Sequence, residues 1–143
     1  MAQGMNAPLY TIEILRLAAS LPDPQSLDRI DGSARERSPT CGSTVATDVQ
    51  LFDGRVQALS QQVSACAFGQ ASAALVANHA IGRSAEEVKV ALAGMSDWLA
   101  GNREEPGDWQ GLATLAPARS RKSRHGAILL PLRALLAAIN AAK

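Results

Sequence analysis

The fold is decided by the stretch Ser43-Thr-Val-Ala-Thr-Asp-Val-Gln-Leu-Phe52, Asp53-Gly54 and Arg55-Val-Gln-Ala-Leu-Ser-Gln-Gln-Val-Ser64. Apolar and polar residues alternate in its first segment and again in its second, which is typical of half-buried β-strands. Asp53-Gly54 suits a two-residue hairpin turn, because both central residues of such a turn adopt positive φ. The stretch therefore predicts two antiparallel strands, residues 43–52 and 55–64, joined by a tight turn.

Helical patterns lie on both sides of this hairpin. Apolar residues recur at helical spacing, and the sequence Ser84-Ala-Glu-Glu87 is a capping box that opens a helix. We predict helices over residues 10–21, 70–81, 84–99, 109–115 and 127–142. Because the helices do not alternate with strands, the order indicates an α+β fold with a small antiparallel sheet and helices packed on it.

The remaining segments are predicted to be mostly irregular. Residues 25–40 are polar, and we expect a loop with a short edge strand near its end. Residues 116–124 are expected to form a basic loop that can dock an acidic partner or remain solvated. Pro131 is placed in the first turn of the last helix, where no amide donor is lost.

Composition narrows the class of protein. A length of 143 residues favours one domain over residues 1–143, and 47% hydrophobic residues argue against disorder. The net charge of +1 and the 3% of aromatic residues argue against a nucleic-acid partner. The longest apolar stretch, residues 127–132, is far below the ~20 residues of a membrane span, and residues 1–10 lack a signal peptide. We expect a cytoplasmic protein, and the Arg and Ala bias suggests a bacterial source.

The two cysteines, Cys41 and Cys66, are placed symmetrically about the predicted turn. Cys41 lies twelve residues before Asp53, and Cys66 lies twelve residues after Gly54. In an antiparallel hairpin, the start of the first strand lies beside the end of the second. The turn alone therefore predicts that both thiols lie at the same end of the sheet.

Two thiols at one end of a sheet have several possible roles. Thiolates bind zinc and iron–sulfur clusters, and a helix N-terminus after Cys66 would favour the thiolate. His125 precedes the last helix and could approach the same end. The alternatives are that both cysteines are ordinary buried residues and that His125 is solvated. His79, on a helix of small residues, is expected to be a helix-end or core residue.

The cysteine motifs resemble those of a known family. Ser38-Pro-Thr-Cys41-Gly42 before an Asp-Gly hairpin, followed by Cys66-Ala-x-x-x-Ala71-Ser72, resembles the IscU/NifU/SufU-type iron–sulfur cluster assembly scaffolds. The resemblance implies an α+β fold with a three-stranded antiparallel sheet. It also implies a site at one exposed end, where Cys41 and Cys66 match two family cysteines and His125 matches a family histidine.

Two departures from the family pattern concern the ligands. Ser43 stands where the family's Cys-Gly-Asp motif has an aspartate, and Gly126 stands where a third cysteine would follow His125. A hydroxyl is a far poorer metal ligand than a carboxylate. A fourth ligand would then have to come from a partner, a second subunit or glutathione.

The resemblance leads to three hypotheses. The first is a non-enzymatic scaffold that holds iron, a transient [2Fe–2S] cluster or zinc through Cys41, Cys66 and His125. Its partners would be a cysteine desulfurase and proteins that accept the cluster, and it could form a homodimer. The second is a degenerate scaffold that only binds partners. The third is a metal-free persulfide relay, as in the similarly folded SufE-type sulfur acceptors.

Overall fold

The computed structural model describes residues 10–39 and 41–142. The elements in chain order are α1 (Ile12–Ala19), β1 (Gly32–Arg37), β2 (Thr44–Phe52), β3 (Arg55–Ser64), α2 (Ala67–His79), α3 (Ala85–Leu99), two 3-10 helices (Leu112–Ser120 and Lys122–Arg124) and α4 (His125–Ala141). The expectation about a signal peptide falls on residues 1–10 and so lies almost entirely outside the described residues.

The predicted hairpin is confirmed. Asp53 and Gly54 both have positive φ, at 54° and 76°, as a two-residue hairpin turn requires. β2 and β3 pair antiparallel from Phe52 opposite Arg55 to Thr44 opposite Ser64, and the register shifts between Gln50 and Leu51. This pairing brings the start of β2 beside the end of β3.

The edge strand expected in residues 25–40 is β1, which pairs antiparallel with β2. The sheet has the order β1-β2-β3, so the three-stranded α+β fold is confirmed. Along β2, Val45, Thr47 and Val49 are buried, whereas the residues between them are partly exposed. This alternation gives the sheet one face toward the helices and one toward solvent.

Two helices supply most of the packing against the buried face of the sheet. α4 packs on β1 and β2, while α2 packs on β3 and also contacts α1 and α4. Small residues allow α2 and α4 to approach closely, and the Ser72 hydroxyl donates a hydrogen bond of 2.6 Å to the carbonyl of Ile128. Phe68 of α2 and Leu132 of α4 are buried in the same core.

The prediction for Pro131 is wrong. α4 begins at His125, so Pro131 lies inside the helix and not in its first turn. Proline has no amide hydrogen for the carbonyl of Ala127, and that carbonyl lies against Gly69, where a Cβ would stand 3.3 Å away. Close packing against α2 therefore overrides the local preference.

The prediction of a basic loop over residues 116–124 is also wrong. That region is occupied by the end of one 3-10 helix and by the second one, which leads directly into α4. Leu112, Leu115 and Ala118 are buried at a spacing of three residues, which is the period of a 3-10 helix. The apolar contacts of these residues hold the segment against the core.

None of the helices in the described part of the chain is long and apolar enough to cross a membrane.

Gly32→Ala tests the contact between the sheet and α4. A Cβ at Gly32 would overlap the carbonyl oxygen of Ala138 and stand 3.1 Å from the amide nitrogen of Ala142. We expect the substitution to lower the free energy of unfolding by about 1–3 kcal/mol, measured by urea denaturation. The exposed Arg37→Ala on the same strand should stay within about 0.5 kcal/mol of the wild type. Equal stability of both variants and the wild type would contradict this packing.

Candidate thiol site

Cys41 lies in the loop between β1 and β2. The Ser38 amide donates to the Ser43 carbonyl at 2.9 Å, and the Gly42 amide donates to the Ser38 carbonyl at 2.9 Å. Gly42 has a φ of +74°, a conformation that glycine adopts without a steric penalty. These hydrogen bonds close a tight loop that leaves Cys41 exposed.

Cys66 lies at the junction between β3 and α2. It is the N-cap residue of α2, and its carbonyl accepts a hydrogen bond of 2.9 Å from the Gln70 amide. Its side chain makes no capping hydrogen bond, so the helix amides do not engage the thiol. The residue is half-buried and stands at the N-terminus of the helix.

The two cysteines line one open cavity of about 260 Å³. Its lining consists of both thiol-bearing residues, their neighbours on the two strands and one cation: Cys41, Gly42, Ser43, Ser64, Ala65, Cys66 and Arg124. The thiols therefore lie at the same end of the sheet, as the position of the turn predicts. Among the described residues, the lining includes no carboxylate.

The surroundings of Cys41 favour its thiolate. Burial raises the pKa of the Cys41 thiol, but hydrogen bonds with Ser38 and Ser43 and the positive charge of Arg124 outweigh this effect. The net pKa lies below the usual thiol value. The buried Ser43 hydroxyl lies 3.1 Å from the Cys41 sulfur, so the residue that replaces the family's aspartate contacts the thiol directly.

His125 does not line the thiol cavity, although it follows Arg124 directly. Its Nε2 lies 2.8 Å from the carbonyl of Ala118. A carbonyl only accepts hydrogen bonds, so Nε2 donates, and Nδ1 carries the lone pair of the neutral ring. Histidines that bind metals usually have such a backbone contact on their other ring nitrogen. The ligand role of His125 stays a prediction.

The described residues contain no ready-made metal site. No group of three or more His, Cys, Asp and Glu residues within 10–39 and 41–142 could hold a metal ion. The structure thus brings Cys41 and Cys66 together and keeps His125 outside their cavity. His79 lies half-buried at the end of α2, where its carbonyl accepts a hydrogen bond from Arg83.

Arg124 is the site residue that sequence reasoning missed, because the basic segment offered four cations with no means of ranking them. Arg119, from the same segment, has a structural role. Its Nε donates to the carbonyl of Trp98 at 3.0 Å, and its guanidinium lies 5.3 Å from the centre of the Trp98 ring. Arg124 differs because it alone among the described cations lines the thiol cavity.

Solved structures of other proteins have the same fold. A nitrogen-fixing NifU-like protein (N-terminal) from Brucella abortus shares 32% identity with this chain over 93% of each chain, with a TM-score of 0.86. A putative iron–sulfur cluster assembly scaffold protein for the SUF system from Fervidobacterium islandicum AW-1 shares 16% identity over 92% of this chain and 96% of that chain. Its TM-score of 0.80 shows the same fold.

No family model matches the chain, and no curated protein matches it. The identity and coverage with the Brucella protein nevertheless show the family. The chain belongs to the NifU-like family of IscU/NifU/SufU-type proteins, as its two cysteine motifs predict.

Alkylation of Cys41 tests the electrostatics of the site. In a Cys66→Ser protein, the rate of reaction with iodoacetamide should follow ionisation of the Cys41 thiol. Because the folded-state pKa is lowered, the midpoint of the rate profile should lie at lower pH than in the same chain unfolded in urea.

Ser43→Ala removes the hydroxyl that contacts the sulfur, and it should move this midpoint to higher pH. Ser60→Ala is the control, because that hydroxyl bonds the Gln25 amide outside the thiol cavity. A midpoint that is the same in folded and unfolded protein would contradict the described surroundings of Cys41.

Proposed function

We propose that this protein is an iron–sulfur cluster assembly scaffold, acting as one domain over residues 1–143. Cys41 and Cys66 would hold iron, a labile [2Fe–2S] cluster or zinc as cargo, and His125 would be the third ligand. The observation that carries the proposal is that both thiols line one open cavity. An open position lets a cluster arrive and leave, whereas a closed four-ligand site retains its metal.

The ligand chemistry supports part of this site. Thiolates are the ligands preferred by iron–sulfur clusters and zinc, and the lowered pKa of Cys41 increases its thiolate fraction relative to an ordinary thiol. The hydrogen bond from His125 to Ala118 leaves Nδ1 as the ring atom with a lone pair. His125 does not line the thiol cavity, so its side chain would have to move for Nδ1 to join the thiols as a ligand. A further ligand would come from a partner, a second subunit or glutathione.

The proposal includes partners and a location. A cysteine desulfurase would supply sulfur, and proteins that accept an iron–sulfur cluster would receive the cargo. The protein would act as a scaffold and not as an enzyme. A cytoplasmic location agrees with both cysteines being free thiols, because that compartment keeps thiols reduced.

One observation favours a second function, a metal-free persulfide relay. Ser43 contacts the Cys41 sulfur at 3.1 Å, where the family's aspartate would be a ligand. A hydroxyl stabilises the thiolate nucleophile by a hydrogen bond but adds little to metal binding. A relay needs one essential cysteine, whereas a cluster site needs both.

Cluster loading distinguishes the two functions. Protein purified without oxygen should take up iron and acid-labile sulfide and gain a visible absorption band. Cys41→Ser and Cys66→Ser should each reduce iron and sulfide content at least fivefold, because each removes one of two thiolate ligands. His125→Ala should cause a smaller loss.

His79→Ala is the matched control, because that residue does not line the thiol cavity. Unchanged iron and sulfide in both cysteine variants would contradict the scaffold proposal. If no metal binds at any loading, but one cysteine alone accepts sulfur from a desulfurase, the relay is the correct function. If a desulfurase is bound without either outcome, the protein is a partner-binding module.

A further inference from the structure

The thiol cavity is positively charged apart from the thiols themselves. Arg124 is its one charged lining residue among those the structure describes, and it is half-buried there. Its charge is close enough to lower the pKa of Cys41. An anion that approaches the thiols therefore meets the positive charge of Arg124.

The neighbouring surface has the same sign of charge. A second depression shares Ser64 with the thiol cavity and is lined by polar and small residues of the exposed sheet face, with Arg35 as the charged residue. Among the described residues, neither depression is lined by Asp or Glu. Arg35 thus adds a second positive charge next to the thiol cavity, on the exposed face of the sheet.

The residue beside Cys41 leaves this charge unopposed. Ser43 is neutral, is 6% exposed and points its hydroxyl at the Cys41 sulfur. An aspartate at this position would place a negative charge in the path of an incoming anion. With serine there, an anion is attracted by Arg124 without local repulsion.

We propose that Arg124 makes this site selective for sulfur donors that carry a carboxylate beside the reacting sulfur. The donor class is a persulfide of an acidic thiol. This inference rests on the proposed function, in that it names the donor from which the thiols would receive sulfur.

The transfer step is balanced without an added oxidant. The Cys41 thiolate attacks the outer sulfur of a donor persulfide, a Cys41 sulfur–sulfur bond forms, and the donor's sulfur–sulfur bond breaks. The donor leaves as a thiolate and takes up the proton of the transferred sulfur. Arg124 takes no part in bond making, and it positions the donor's carboxylate.

Thiol–disulfide exchange measures this selectivity without metal or desulfurase. In a Cys66→Ser protein, Cys41 would react with 5,5′-dithiobis(2-nitrobenzoate), which is anionic, and with 4,4′-dithiodipyridine, which is neutral. Arg124→Gln should lower the anionic-to-neutral rate ratio by about threefold to fivefold, as expected for unit charges ~4–6 Å apart in water. Arg124→Lys should retain most of the ratio.

Arg121→Gln is the matched control, since it removes a neighbouring exposed cation that does not line the cavity. The ratio should also fall as the salt concentration is raised, because the Debye screening length shortens from ~30 Å at 0.01 M to ~3 Å at 1 M. The neutral reagent corrects for any change in nucleophilicity of the thiolate. An equal ratio in the wild type and Arg124→Gln would overturn the proposal.

A second experiment identifies whether the donor that carries the carboxylate is a small thiol or a protein segment. Glutathione and a short peptide with cysteine between acidic residues are each activated with the same neutral thiopyridyl group, and each is compared with its uncharged amide form. Preference for charged glutathione supports a small thiol as donor, and preference for the acidic peptide supports a protein segment. Preference for neither would overturn the proposal. Neither experiment uses iron, so the outcome of each is independent of whether the protein takes up a cluster.

Discussion

The Asp53-Gly54 turn is the constraint on which the rest of the structure depends. Because both residues take positive φ, β3 returns along β2, and the end of β3 lies beside the start of β2. Neither cysteine is near the other in sequence, yet both line one cavity at that end. The position of the thiols is thus fixed by backbone conformation at the opposite end of the sheet.

Helix packing then determines what surrounds the thiols. α4 lies against β1 where Gly32 has no side chain, and it approaches α2 closely at Gly69. Through this packing the start of α4, with Arg124 just before it, comes to the end of the sheet that holds the cysteines. The cavity therefore draws on the β1–β2 loop, the β3–α2 junction and the segment before α4, and its chemistry depends on the whole core.

The hairpin and the shared position of the cysteines could be predicted because both follow from local patterns. β1 could be placed only loosely, since its sequence Gly32-Ser-Ala-Arg-Glu-Arg37 lacks apolar residues at alternate positions. Its pairing depends on β2 and α4, which are distant in sequence. The first 3-10 helix was predicted only in part, as a helix over residues 109–115, although the spacing of Leu112, Leu115 and Ala118 indicates that it continues. The second 3-10 helix was predicted as a loop, because its residues are polar and its place depends on tertiary packing.

Pro131, Arg124 and His125 show the limit of sequence reasoning about the site. The placement of Pro131 depends on contacts with α2, which no local preference contains. The role of Arg124 depends on its direction at the end of a 3-10 helix. For His125, the sequence indicates an imidazole near the site, but the hydrogen bond to Ala118 is a tertiary feature.

The distance between the hairpin turn and the thiols has a practical consequence for attaching a label or a surface to the protein. Asp53 and Gly54 are exposed, and the side chain of the adjacent Phe52 is 70% exposed. A label, a surface anchor or a new pair of chain ends introduced at this turn would lie at the end of the sheet opposite the cavity. Immobilised molecules would then present their thiols outward in a uniform orientation.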